Sequence, residues 1–269
     1  MADLPDKRDS WQALRQFTRA RIALGHTGVS QRTRDQLDFQ LAHARARDAV
    51  HEALDSAALS RALMAAWPGA AAPILLHSAA PDRQVYLQRP DLGRRLDAPS
   101  RALLATPDGA AGALSCDLAI VVADGLSARA IDENAAPLLE ALHARLPSEA
   151  WVVAPLAIVE QGRVAIGDEV GELCAAKLVL VLIGERPGLS SPDSMGLYLT
   201  WAPRVGLTDE RRNCISNVRP AGLAYAEAAA RLHYLLSEAR KRQLTGIGLK
   251  DETVADAALE APGRGAFLL

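Results

Sequence analysis

Apolar residues along this chain follow two rhythms, and the change between them marks its organisation. Residues 8–60 keep helical spacing. Ser30 is a candidate cap for Gln31–Leu54, where Leu37, Leu41, Ala44, Ala49 and Val50 recur at helical intervals. The polar positions between them alternate in sign, as on a solvated face. Gly25 and Gly28 separate this stretch from an earlier helix expected over Trp11–Leu24. Residues 1–66 therefore read as an N-terminal helical region. Residues 67–116 differ, because Pro68, Pro73, Pro81, Pro90, Pro99 and Pro107 recur too often for long helices. That segment reads as connecting structure with short strands near Ile74–Leu76 and Gln84–Leu87.

From Asp117 the rhythm becomes regular. Leu118–Ala123, Trp151–Val159 and Leu178–Ile183 are near-continuous apolar runs of strand length. Between them lie a helix over Ala128–Leu146, preceded by the turn Asp124–Ser127, and a shorter one over Glu169–Ala176. Leu197–Trp201 and Ile215–Val218 add strands, and Ala221–Arg242 forms a long amphipathic helix after Pro220. Unbroken apolar strands alternating with helices require a sheet covered on both faces. The expected fold is α/β: a Rossmann-like parallel sheet with flanking helices over 117–252, preceded by the helical extension. Residues 253–269 read as a flexible tail.

Composition narrows the function classes. Hydrophobic residues are 49% and charged residues 23% of the 269, enough to bury a core. The formal net charge of -2 offers no surplus of cations for phosphate backbones, so a nucleic-acid partner is not expected. The apolar runs are strand-sized and the N-terminus lacks a signal-like stretch, so neither membrane insertion nor secretion is expected, and the cytoplasm is the default. Cys116, Cys174 and Cys214 form no CxxC pair. GxGxxG after the first strand, GxxxxGK[ST] and GxSxG are absent, which leaves nucleotide enzymes and serine hydrolases without support. His43, Arg47 and His51 share a helix face, but no acid or thiol completes a metal set.

Ligands of open parallel sheets bind outside the carboxyl ends of the strands. Three loops fit that position: Ala123–Ser127, Glu160–Asp168 and Gly184–Ser191. The third combines Glu185, Arg186, Pro187 and two glycines directly after a buried strand. A ligand loop and an ordinary turn with a structural Glu185–Arg186 pair account for it equally well. No catalytic set is visible, and Cys214 alone reads as a small buried hydrophobe rather than a nucleophile. Ligand-shaped loops without catalytic groups suit a binding subunit; a stand-alone enzyme and a cofactor-free assembly partner remain alternatives.

Four segments carry a resemblance: LDFQLAHARARDAVH (37–51), VVADGLSARA (121–130), RVAIGDEVGELCAAKLVLVLIGERPGLSSPDSMG (163–196) and RNCISNVRPAGLAYAEAA (212–229). Together they resemble the small (light) subunit of ethanolamine ammonia-lyase from about Arg21 to Glu252. The resemblance implies a Rossmann-like domain and a TIM-barrel large subunit, with adenosylcobalamin held between the two. It implies conversion of ethanolamine to acetaldehyde and ammonia by a radical route in which the cofactor carries the chemistry. Carried over by motif, the cobalamin contacts fall on Val164, Glu185 and Cys214, with no catalytic residue and no metal ligand in this chain. A DxHxxG-type motif is missing, so the resemblance implies that the cofactor keeps its own benzimidazole on cobalt. Family members of bacterial microcompartments carry a longer amphipathic N-terminus, so for this chain encapsulation is an open alternative to the free cytoplasm.

Overall fold

The computed structural model describes residues 14–18, 20–22, 24, 26–105, 116–146 and 151–253. Along the chain, β1 (His26–Thr27) and β2 (Ser30–Gln31) form a small ribbon, followed by α1 (Thr33–His51) and α2 (Ser56–Ala66). Then come β3 (Ile74–His77), α3 (Arg83–Gln88), a 3-10 turn at Leu92–Arg94, α4 (Ala98–Ala105), β4 (Leu118–Ala123) and α5 (Ala128–His143). The remaining strands and α-helices are β5 (Ala157–Glu160), α6 (Ile166–Leu173), β6 (Leu178–Gly184), β7 (Met195–Trp201), β8 (Arg212–Val218) and α7 (Tyr225–Arg242).

Six strands make one sheet in the order β3-β5-β4-β6-β7-β8. The first four of that order run parallel, and β7 and β8 continue as an antiparallel hairpin. Alternation along the central strands explains the two-sided burial. Leu118, Ile120 and Val122 of β4, with Leu178, Leu180 and Leu182 of β6, pack against α2, α5 and α7. Their odd-numbered neighbours Ala119, Val121, Ala123, Val179, Val181 and Ile183 pack on the other face with Ile166 and Val170 of α6. Because successive side chains of a strand point to opposite faces, only a continuous apolar run can serve two cores. The expected Rossmann-like α/β class holds, with helices on both faces.

Several expected elements differ. Gln84–Leu87 lies within helix α3, not a strand, because the Asp82 side chain accepts from Val85 N–H at 2.8 Å and caps a helix. Ser30 does not cap α1; it pairs with Thr27 in the β-ribbon, and Arg32 occupies the cap position. The described residues 17–18, 20–22 and 24 of the expected first helix are not helical. Trp151–Val159 contributes a strand only from Ala157, since Pro155 lacks a ladder N–H; Val153 makes one isolated bridge, to Leu118. The helix α6 starts earlier than expected, and α7 begins at Tyr225, because residues 219–223 form a turn in which Leu223 N–H donates to Asn217 carbonyl at 2.8 Å. Helix α4 forms within the proline-rich segment read as connecting structure, with Pro99 tolerated in its first turn. Of the tail expected over 253–269, residues 254–269 lie outside the described residues.

Candidate functional site

The carboxyl ends of β3, β4, β5 and β6 meet along one edge of the sheet, and antiparallel pairing brings the start of β7 to the same edge, Gly184 opposite Met195. Helices α5 and α6 leave β4 and β5 toward opposite faces, which opens a crevice between the two loops. A cavity of about 400 Å3 sits there, lined among others by Tyr86, Gly125, Leu126, Val164, Glu185 and Tyr198. A second cavity, of about 650 Å3, continues past Arg163, Val164 and Tyr198, which line both.

Glu185 follows β6 and turns back on the hairpin. Its Oε2 accepts from the Ser194 hydroxyl and from Asn217 N–H at 3.2 Å, while its own N–H donates to Ser194 carbonyl at 2.9 Å. The anchoring partners are Ser194 and Asn217 rather than Arg186. Val164 lies half-buried in the turn before α6, its side chain against the α6 face of the sheet.

Cys214 is exposed on the outer strand β8, not buried as its sequence alone suggested, and does not line the cavity. Strand register places it beside Tyr198 and, one strand further, Val181, all on the α6 face. The Tyr198 side chain is its cross-strand neighbour. Local crowding raises the Cys214 pKa, Tyr198 opposes that, and nearby Glu185 adds to it; the thiol stays protonated and is not an activated nucleophile. The structure thus brings Val164 and Glu185 to one cavity and connects Cys214 to it through Tyr198.

Tyr86, Arg83 and Tyr198 belong to the site but lie outside the three loops picked from the sequence. Tyr86 on α3 is fully buried, donates to Gly162 carbonyl at 3.0 Å and lies under two guanidinium groups, Arg163 at 4.2 Å and Arg83 at 4.8 Å from the ring centre. Burial pushes its phenol well above its ordinary range, so it remains neutral. Arg83 Nη1 donates to Gly125 carbonyl at 2.8 Å and stands 3.6 Å from Asp124 Oδ2. Asp124 receives Gly162 N–H at 3.1 Å, tying the β4 and β5 loops together. The capping signal at Asp82 could have placed Tyr86 on a helix; its approach to Arg163, 77 positions away, is not a local feature.

Residues 8–250 match the family model for ethanolamine ammonia-lyase light chain. A Pseudomonas aeruginosa ethanolamine ammonia-lyase small subunit is 58% identical over 99% of this chain and 97% of its own length. The small subunit of Ralstonia nicotianae is 58% identical over 97% of this chain and 95% of its own. That of Azotobacter vinelandii is 56% identical over 98% and 97%. The chain belongs to the ethanolamine ammonia-lyase small-subunit family.

Membership makes this chain a subunit of a lyase. The family resemblance drawn from the four segments is thereby confirmed. Among the described residues, no helix is long and apolar enough to cross a membrane, and no cluster of three or more His, Cys, Asp and Glu could hold a metal ion. His43, Arg47 and His51 lie exposed on α1.

Proposed function

We propose that this small subunit forms one wall of an adenosylcobalamin site, and that a TIM-barrel large subunit closes the site and holds ethanolamine with the catalytic groups. The observation that supports this reading is the crevice at the mouth of the parallel sheet. There Val164 and Glu185 share a cavity, and Cys214 abuts its wall through Tyr198.

The lining suits a corrinoid. Its flat ring has apolar edges studded with neutral amides, and the crevice offers apolar Val164 and Ile183 and an acceptor in Glu185. Among the described residues, no histidine lines either cavity. When bound, adenosylcobalamin supplies the radical chemistry that turns ethanolamine into acetaldehyde and ammonia. The roles left to this chain are orientation and exclusion of water. Val164 and Tyr198 present apolar surface, and Glu185, held by Ser194 and Asn217, accepts from peripheral amides. Cys214 supports Tyr198 from the outer strand. A cytoplasmic complex is the setting that fits.

The experiment is reconstitution. The chain with its large subunit should copurify, hold a red corrinoid spectrum and release ammonia from ethanolamine. Ammonia release by this chain alone would overturn the subunit reading.

A further inference from the structure

The larger cavity has a charge pattern that contact with a neutral corrin ring does not explain. Its lining includes the arginines Arg94, Arg95 and Arg163 and the acids Asp91, Asp168 and Asp209. Every acid already has a cationic partner. Asp168 and Asp209 both pair with Arg212, the latter at 3.1 Å, and Asp91 pairs with Arg89 at 2.7 Å. Arg95 is likewise committed, to Glu169 at 3.0 Å.

Two cations keep spare donors. Arg163 gives one N–H to Tyr86 carbonyl at 3.2 Å, but its Nε is buried with no hydrogen-bond partner. Arg94 is exposed, and among the described residues its guanidinium has no hydrogen-bond or ion-pair partner. The chain is built to keep the segments bearing these two arginines close. Gly93 carbonyl accepts from Arg163 N–H at 2.7 Å, and a Cβ on Gly93 would meet Arg163 Cγ at 2.8 Å. A buried donor without a partner costs about 1–3 kcal/mol, so a site that keeps one fits a ligand that supplies the acceptor.

We propose that Arg163 and Arg94 bind a phosphodiester, and that it is the one in the nucleotide loop of the cobalamin. This rests on the cofactor reading above. The corrin amides are neutral, and the phosphodiester is the anionic group of that molecule. The two cavities adjoin at Arg163, Val164 and Tyr198, so a ligand with its ring in the first can extend its loop into the second. Guanidinium suits the role because its forked donors match phosphate oxygens.

The test uses the complex with the large subunit and equilibrium dialysis read by corrin absorbance. Two ligands are compared: adenosylcobalamin, and adenosylcobinamide, which keeps the ring and adenosyl group but lacks the nucleotide loop. Arg163→Met should weaken adenosylcobalamin retention roughly tenfold, the loss of one charge-assisted contact, with adenosylcobinamide changed by less than about twofold. Arg94→Met, a surface change that does not touch the core, should act in the same direction to a smaller degree, and Arg163→Lys should recover part of the loss. Equal weakening of both ligands, or no weakening of either, overturns the inference. If the wild-type complex holds neither corrinoid, the cofactor reading itself fails and takes this inference with it.

Discussion

Gly125 and Gly184 meet across the mouth of the sheet with no room for a side chain on either. A Cβ on Gly125 would lie 2.3 Å from Gly184 carbonyl oxygen, and one on Gly184 would lie 2.1 Å from Ser127 carbonyl oxygen. Gly125 also has φ +59, in the left-handed region where glycine carries no Cβ penalty. In turn, Leu126 N–H donates to Gly184 carbonyl at 2.9 Å, so the β4–α5 turn is docked on the end of β6. The close approach that needs glycine here is backbone against backbone. Gly184→Ala should therefore cost the folded chain about 2–3 kcal/mol, an overpacking penalty without a ligand present. Urea denaturation of the full chain measures it; unchanged stability with impaired corrinoid retention would mean that the space belongs to ligand.

Glu185 separates anchoring from recognition. Glu185→Leu removes the acceptor for Ser194 and Asn217 and should cost about 1–2 kcal/mol of loop stability while lowering corrinoid affinity. Glu185→Gln keeps an acceptor in place and should retain most of both. Equal affinity for cofactor in wild type and Glu185→Leu, by dialysis of the assembled complex, would remove Glu185 from the site.

Cys214→Ala tests the outermost position. The residue is exposed and packs on Tyr198, so the change should move stability by about 0.5 kcal/mol or less, within the range of surface substitutions. Its effect on corrinoid retention should be smaller than that of Glu185→Leu. A collapse of thermal stability would assign Cys214 to core packing.

The fold was legible where burial left the sequence no choice. Leu118–Ala123 and Leu178–Ile183 face cores on both sides, so their apolar runs could be read almost to the residue. Gln84–Leu87 misled because Val85 and Tyr86 favour strands in isolation, and the Asp82 cap outweighs that preference. The ribbon at Ser30–Gln31 hid behind a capping residue used as a pairing partner. For the site, Val164, Glu185 and Cys214 came from family motifs, whereas Arg83, Tyr86 and Arg163 converge through tertiary packing that no local pattern encodes. Tyr198 required the β7–β8 register, which is set by the hairpin.

Arg212 and Asp168 form a buried ion pair between β8 and α6, each side chain 3% exposed. Burial raises the Asp168 pKa to about 6 even though Arg212 opposes the shift, so desolvation outweighs attraction for the acid. Removing Asp168 leaves buried Arg212 with the solvent-exposed Asp209 as its remaining ion partner. Asp168→Ala should destabilise the chain by about 3–5 kcal/mol, whereas the double change Asp168→Leu with Arg212→Met should cost far less. Thermal denaturation of both variants decides; equal losses would mean that the pair itself, rather than the buried cation left with only an exposed acid, dominates.

Asp124 gives the chain a pH dependence whose sign follows from burial. It is 3% exposed, and desolvation raises its pKa from 3.8 to about 6, with Arg83 and the Gln161, Gly162 and Gly125 N–H groups opposing. The folded pKa exceeds the unfolded one, so the folded state binds the proton more tightly. The resulting stability is fully present below about pH 4 and is lost as pH rises through about 6. A shift of this size corresponds to about 2–3 kcal/mol. Asp124→Asn removes the titration but keeps an oxygen for Gly162 N–H, and Arg83 retains the carbonyls of Val50 and Gly125. Urea midpoints measured from pH 4 to 7 should show wild type losing stability relative to Asp124→Asn between about pH 4 and 6, with parallel curves above. Curves parallel throughout would show that Asp124 titrates alike in the folded and unfolded chains, and would require a more hydrated β4 turn than its burial indicates.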